Sequence, residues 1–240
     1  IPPLKWFAIR RVERQRQVVM SIEPPEEAAL AIVGESVVPE GHPHAGFLRA
    51  AAEDGYRRLL KPLLQAQIRH ELQERAEDQL FEGFERNLRN NVLAPRGGSV
   101  RVMGLRPDVI KGHRWCVVDA EGLPVGSGQL PHEPTAGREA CVTELRELLD
   151  RYEVQAIAIG TGGGRAEARR LAAEASPGET RTIVEVHDGG TRSCEQQGDL
   201  EIDDRPKVAA DQRGALSLAR RFQDPLHELA QIEPKALGLG

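Results

Sequence analysis

Apolar residues recur every four positions through much of the first half of the chain. They are Leu60, Leu64, Ile68, Leu72, Ala76, Leu80, Phe84 and Leu88. A four-residue repeat exceeds the 3.6-residue turn of an α-helix, so the apolar stripe rotates by about 40° at each step. The pattern predicts a long helix from Gly46 onward, with interruptions at Pro62 and Gly83.

Strands and helices alternate after a Pro/Gly-rich break at residues 94–98. Period-two and short apolar runs predict strands, and 3.6-residue periodicity predicts the helices between them. Strands are predicted at residues 100–105, 115–119, 125–130, 156–159 and 182–186, and helices at 137–152, 165–175 and 206–223. Three antiparallel strands followed by helix-strand-helix-strand-helix indicate an α/β domain.

The chain is therefore predicted to divide at residue 97. Residues 1–97 form a mainly α-helical part, with a short N-terminal β pair at residues 5–10 and 17–22. Residues 98–224 form the α/β domain, and residues 225–240 begin a further helical region.

Composition limits the possible functions. The net charge of −5 excludes a uniformly basic nucleic-acid binder, so a nucleic-acid surface would be a local patch. Cys116, Cys141 and Cys194 form no CxxC pair, which favours reduced thiols in a cytoplasmic protein. The sequence carries no signal-peptide pattern and no apolar run of membrane-spanning length, so no membrane partner is expected. Because the chain begins at Ile1 rather than Met, we expect a fragment of a longer protein.

Several dispersed stretches resemble the Tex family of bacterial transcription accessory proteins. The longest is Arg-Gly-Ala-Leu-Ser-Leu-Ala-Arg-Arg-Phe-Gln-Asp-Pro-Leu at residues 213–226. The others lie at residues 6–11, 56–62, 85–88, 157–160 and 232–240. The resemblance covers essentially the whole chain.

The resemblance implies an α/β ribonuclease-H-like (YqgF, RuvC-like) domain preceded by a mainly helical domain. Residues 225–240 would be the truncated start of a helix-hairpin-helix region. It also implies a nucleic-acid-binding protein of transcription, with RNA or DNA and the transcription machinery as partners. No cofactor and no small-molecule substrate are expected.

In RuvC-like enzymes the metal ligands come from the first strand, the end of the fourth strand and the last helix. The corresponding positions here are Arg106, Thr161 and Arg213, and none of them is acidic. The family motif Gly-Ile-Asp-Pro-Gly stands here as Gly-Leu-Arg-Pro-Asp at residues 104–108. Because divalent metals need carboxylate oxygens, we expect no metal, no catalytic residue and no nuclease activity.

Alternatives remain open at this stage. A metal-dependent nuclease could draw relocated ligands from four other carboxylates, Asp108, Glu167, Asp188 and Asp211. Arg106 either holds a phosphate in place of the metal or plugs the old site through an ion pair. The domain could also serve only as packing between helical modules.

A local basic patch is the predicted nucleic-acid surface. Arg213 and Arg220 are seven residues apart and share one helix face. The predicted phosphate-contacting residues are Arg106, Arg165, Arg169, Arg213, Arg220 and Arg221. Ion pairs between domains are the alternative role, because Asp224 is close in sequence.

Overall fold

Helices form the first part of the chain. The computed structural model describes residues 1–108, 110–131, 133–179, 181–196 and 208–238. Helix α1 spans Pro3–Arg14, α2 spans Glu26–Val37 and α3 spans Ala45–Gly55. A π-helical turn, Tyr56–Leu60, joins α3 to helix α4, Lys61–Val92.

The long helix that the four-residue repeat predicts is confirmed. Neither predicted interruption lies where it was expected: α4 continues through Pro62, and the irregular stretch is the π-helical turn that ends two residues earlier, at Leu60. The interruption at Gly83 is wrong, because α4 continues through that residue.

The predicted N-terminal β pair is also wrong. Residues 5–10 lie inside α1, and residues 17–22 adopt no regular structure. Trp6 is buried and its indole Nε1 donates a hydrogen bond to Gln73 Oε1 at 2.7 Å. Arg69 on α4 forms an ion pair with Glu13 on α1 at 2.8 Å. Trp6 and Glu13 are seven residues apart and so lie on one face of α1, which these contacts hold against α4.

A five-stranded mixed sheet forms the second part of the chain. Its strands are β1 Val102–Arg106, β2 Arg114–Val118, β3 Pro124–Gln129, β4 Ala156–Gly160 and β5 Thr182–Val186. Their order is β3-β2-β1-β4-β5; β1, β2 and β3 pair antiparallel, whereas β4 pairs parallel with both β1 and β5. The predicted strands are therefore confirmed to within one or two residues at their ends.

Helices cover both faces of this sheet. Helix α5 spans Glu133–Ala136, α6 Arg138–Arg151, α7 Arg165–Ala175, α8 Thr191–Gln196, α9 Arg213–Gln223 and α10 Pro225–Leu229. Alternate residues of β1 point to opposite faces: Met103 and Leu105 pack against α6 and α7, and Val102 packs against α9. Helix α9 begins later than predicted, after a 3₁₀ turn at Ala210–Gln212, and the predicted start at Pro206 lies outside the described residues.

Helix α9 lies directly on the central strand. An ideal Cβ placed on Gly104 of β1 would lie 1.9 Å from the carbonyl oxygen of Ala215 and 2.8 Å from the amide nitrogen of Ala219. Only glycine leaves room for the helix backbone at this point. At the far end of α9, Gln223 Nε2 donates to the carbonyl oxygens of Val100 and Asp119 at 2.8 and 2.7 Å.

The chain forms two compact units, Ile1–Phe84 and Glu85–Gly240. Within the second unit Ile232 and Leu237 are buried beside Gly190. The three-part division at residues 97 and 224 stays a prediction. Among the described residues, no helix is both long enough and apolar enough to span a bilayer.

We expect Gly104→Ala to lower the free energy of unfolding by about 3 kcal/mol or more, because the added methyl group must displace helix backbone. Urea denaturation of this chain measures the effect. The control is Gly163→Ala, where an added Cβ meets no atom within 4 Å. Equal urea midpoints for Gly104→Ala and Gly163→Ala would contradict the close packing of α9 on β1.

His113 links stability to pH. Burial lowers the pKa of His113 below its ordinary value of 6.5, while Glu167, Glu133 and Asp108 oppose the shift. As the pH falls, the unfolded chain therefore binds a proton at His113 before the folded chain does. The contribution of neutral His113 to the free energy of unfolding is complete above about pH 6.5, and it is lost as the pH falls toward the folded-state pKa of this residue.

We expect His113→Asn to reduce the loss of stability between pH 7 and pH 5, measured as urea midpoints. His187, whose pKa burial also lowers, should keep part of the dependence in the variant. A variant with the same pH dependence as the parent chain would show that His113 does not cause it.

Candidate functional site

The carboxyl ends of the parallel strands bring several predicted site residues together. Arg106 ends β1, Thr161 follows β4 and Asp188 follows β5. An ideal Cβ on Gly160 would lie 3.3 Å from both Asp188 Cβ and Pro107 Cδ, so the three strand ends are neighbours. This edge is where α/β folds place their ligands.

The first turn of α9 reaches the same edge. An ideal Cβ on Gly214 would lie 3.0 Å from Arg106 Cδ and 2.9 Å from Glu195 Oε1. Arg213, the residue that begins α9, is therefore close to the end of β1. Arg106, Thr161 and Arg213, the positions that the family resemblance marks as metal-ligand positions, thus lie at one edge of the sheet.

Arg106 forms an ion pair with Glu195 of α8. The two side chains are 13% and 20% exposed, so most of each lies away from water. Glu195 is thus the acidic partner that one of the two interpretations of Arg106 requires, namely that an ion pair of this arginine fills the site. Sequence reasoning missed Glu195, because it lies 89 residues from Arg106 in a polar stretch without a motif.

Arg114 adds a second cation beside Arg106, which sequence reasoning also missed. It is the cross-strand partner of Arg106 in the β1–β2 register. Its Nη1 lies 3.5 Å from Asp108 Oδ2, and its Nε lies 3.6 Å from Asp211 Oδ2. Two like charges opposite each other destabilise a strand pair, and three carboxylates, Asp108, Asp211 and Glu195, offset them here.

The candidate carboxylates are engaged with protein groups. Asp108 Oδ1 accepts hydrogen bonds from the backbone N–H groups of Ile110 and Lys111 at 2.9 and 3.0 Å. These bonds, that of Lys111 first, lower the pKa of Asp108 and keep it ionised. Asp188 Oδ1 accepts from Thr161 Oγ1 at 3.2 Å.

Glu167 lies on α7 and lines a cavity of about 330 Å³ together with Asp108, His113 and Cys141. In the part of the chain that the structure describes, no three His, Cys, Asp or Glu side chains are grouped to hold a metal ion. The residues that the structure describes at this edge thus lack the clustered carboxylates that a two-metal cleavage site needs.

The predicted basic patch is divided in the structure. Arg165 and Arg169 are about half exposed and share one acid, Glu185, at 3.6 and 3.5 Å. Arg220 lies at the opposite end of α9 from Arg213, where its Nε donates to the carbonyl oxygen of Gly122 at 2.9 Å. The cations of α9 thus lie at both ends of the sheet rather than on one surface.

Arg221 is not part of any surface patch, which corrects the prediction. Its side chain is buried, and its Nη1 donates to the carbonyl oxygen of His187 at 2.6 Å. A phosphate at the protein surface cannot reach this guanidinium. For Arg106, Arg165, Arg169, Arg213 and Arg220, contact with nucleic acid stays a prediction.

Comparison with known proteins agrees with this architecture. The family profile described as "Tex protein YqgF-like domain" matches residues 100–223. The uncharacterized protein YdcI of Bacillus subtilis is 30% identical over 244 residues, which cover 100% of this chain and 34% of that protein. Protein tex of Bordetella pertussis is 32% identical over 82% of this chain and 25% of its own length.

A human protein, S1 RNA-binding domain-containing protein 1, is 28% identical over 81% of this chain and 20% of its own length. The chain thus spans about a third or less of the length of these relatives. The profile match lies on the α/β unit, and the identities extend through the helical part. The chain belongs to the Tex family, and its ribonuclease-H-like sheet domain is the YqgF-like domain of that family.

Proposed function

We propose that this chain is part of a nucleic-acid-binding accessory protein of transcription, whose ribonuclease-H-like domain binds without cleaving. The names of two relatives support the proposed role in transcription and nucleic-acid binding. One is the transcriptional accessory protein Tex of Neisseria gonorrhoeae, 30% identical over 85% of this chain and 26% of its own length. The other is the human S1 RNA-binding domain-containing protein.

The ion pair of Arg106 with Glu195 is the observation that supports the absence of cleavage. A guanidinium stands at the end of β1, where the enzymes of this fold carry a metal-binding acid. At about 4 Å and an effective dielectric of about 20, a divalent ion and one guanidinium repel each other by about 8 kcal/mol. Arg114 adds a second cation beside it.

Arg106 has a structural role in this proposal. Its charge is matched by Glu195, and both side chains are largely shielded from solvent. Removing either partner would leave the other partly buried and unpaired, which would destabilise the fold. Plugging the former metal site is therefore favoured over direct phosphate binding at this residue.

Arg165 and Arg169 are the proposed phosphate contacts. They lie four residues apart on α7, so both project from one face of the helix. Two cations share the single carboxylate of Glu185, which leaves one positive charge in excess. Their exposed guanidinium groups can exchange that carboxylate for phosphate oxygens, which arginine binds bidentately.

We expect Arg169→Ala to weaken the binding of single-stranded RNA and to reduce the slope of log K against log salt by about one. Fluorescence anisotropy at four salt concentrations measures both quantities. Arg151→Ala, which removes an exposed arginine of α6, is the matched control and should keep the parental slope.

Two outcomes would count against the proposal. Equal slopes in the two variants would remove Arg169 from the interface. A weak affinity that does not change with salt, already in the parent chain, would instead indicate a domain that only packs helical modules together.

A further inference from the structure

Helix α1 and the turn after it carry a high density of positive charge. Residues 5–16 hold one acid, Glu13, and five cations, Lys5, Arg10, Arg11, Arg14 and Arg16. The rest of the first compact unit, residues 18–84, has the opposite balance, with twelve Asp and Glu against six Lys and Arg. The basic character of this unit is therefore confined to residues 5–16, which we call the α1 basic segment.

The single acid of the α1 basic segment is already engaged. Glu13 pairs with Arg10 on the same helix and with Arg69 of α4, whose Nη1 lies 2.8 Å from Glu13 Oε1. Hydrogen bonds from Arg69 and, to a smaller extent, from Arg10 lower the pKa of Glu13, so this carboxyl group stays ionised between the two arginines. Its charge therefore compensates Arg69 and Arg10 and not the other four cations of the segment.

Those four cations lie in solvent without an acidic partner. Among the residues that the structure describes, no carboxylate lies within 4 Å of the charged groups of the exposed side chains of Lys5, Arg11, Arg14 and Arg16. Arg11 and Arg14 are three residues apart, so they are neighbours on the outer surface of α1. The next exposed arginine, Arg16, follows at the end of the helix. The segment thus presents a row of uncompensated guanidinium groups to the solvent.

The backbone at Arg16 is an independent observation. Arg16 lies in the left-handed region, with φ 57°. Its N–H donates to the carbonyl oxygen of Glu13 at 2.9 Å, and the Gln17 N–H donates to that of Val12 at 3.2 Å. These bonds form a Schellman C-cap, in which glycine usually fills the left-handed position without strain. An arginine in this place points to a function of its side chain, either binding a ligand or stabilising the negative end of the helix dipole.

We infer that the α1 basic segment is a second nucleic-acid contact of this protein, and that Arg11, Arg14 and Arg16 bind the phosphodiester backbone. Arginine suits this ligand because its guanidinium group binds two phosphate oxygens at once. An anionic membrane is disfavoured, since Trp6, the large aromatic residue that could anchor α1 in a lipid surface, is buried against α4. The inference rests on the proposed function, and it adds a site in the first compact unit to the α7 surface in the second.

Salt-dependent binding tests the inference. We expect Arg11→Gln/Arg14→Gln to reduce the slope of log K against log salt by about 1.4 for single-stranded RNA and by about 1.8 for duplex DNA, because each phosphate contact contributes about 0.7 or 0.9 to these slopes. Fluorescence anisotropy at four salt concentrations measures both slopes. The matched control, Arg58→Gln/Arg75→Gln, removes two exposed arginines of the same unit that pair with acids four residues away, and it should keep the parental slopes.

Three results would overturn the inference. Equal slopes for Arg11→Gln/Arg14→Gln and its control would remove α1 from the interface, whereas the proposed function would survive if Arg169→Ala still reduced the slope. Loss of binding to phosphatidylserine vesicles, with nucleic-acid binding unchanged, would assign the segment to a membrane surface. A parent chain whose binding does not depend on salt would overturn the inference and the proposed function together.

Arg16→Gly separates a binding role from a structural one. Because glycine relieves the left-handed strain, we expect the urea midpoint to stay or rise while the salt slope on single-stranded RNA falls by about 0.7. Arg16→Lys keeps the charge and should keep most of the slope. A lower midpoint with an unchanged slope for Arg16→Gly would show that this arginine only stabilises the end of α1, and it would overturn its assignment to phosphate.

Discussion

The close packing of helix α9 on Gly104 determines where the charged residues of the sheet domain lie. Because the helix backbone touches the middle of the central strand, α9 is fixed along its length as well as across the sheet. Its first turn then meets the end of β1, and its last turn meets the start of β1 through Gln223. Ala215 and Ala219 are small enough to permit this approach, and both are fully buried. A side chain at residue 104 would move the helix and every group it carries.

This placement explains the character of the carboxyl edge. In a metal-dependent nuclease of this fold, the last helix completes a set of acids. Here the same helix closes over an ion pair, Arg106 with Glu195, and lies near a second cation, Arg114. The carboxyl edge of the sheet thus carries two arginines with their acidic partners at the point where the first turn of α9 meets the end of β1.

The α/β domain was largely predictable from sequence, for physical reasons that differ from element to element. The run from Ala156 to Ile159 is apolar on both faces, which identified a central parallel strand. Helix α7 matched its prediction at both ends, since Gly164 precedes it with positive φ. The N-terminal β pair was wrong because a short apolar run fits either period, and the contacts of Trp6 and Arg69 decide it in favour of a helix.

The candidate site was less predictable, because the residues that pair with or lie beside Arg106 are distant from it in sequence. Nothing local identifies Glu195 as the partner of Arg106, or Arg114 as its cross-strand neighbour. Helical spacing placed Arg213 and Arg220 on one helix face, but it could not show that they lie at opposite ends of the sheet or that Arg221 turns into the interior. The burial of Arg221 depends on a contact distant in sequence, since its Nη1 donates to the carbonyl oxygen of His187.

The most direct test of a ribonuclease-H-like domain that binds without cleaving is a cleavage assay. Labelled single-stranded RNA and four-way-junction DNA are incubated with this chain and Mn²⁺ or Mg²⁺, against a chelator control. The account predicts intact substrates under all of these conditions. Metal-dependent cutting that survives repurification, and that disappears in an Asp188→Asn/Asp211→Asn variant, would contradict it and identify a nuclease with relocated ligands.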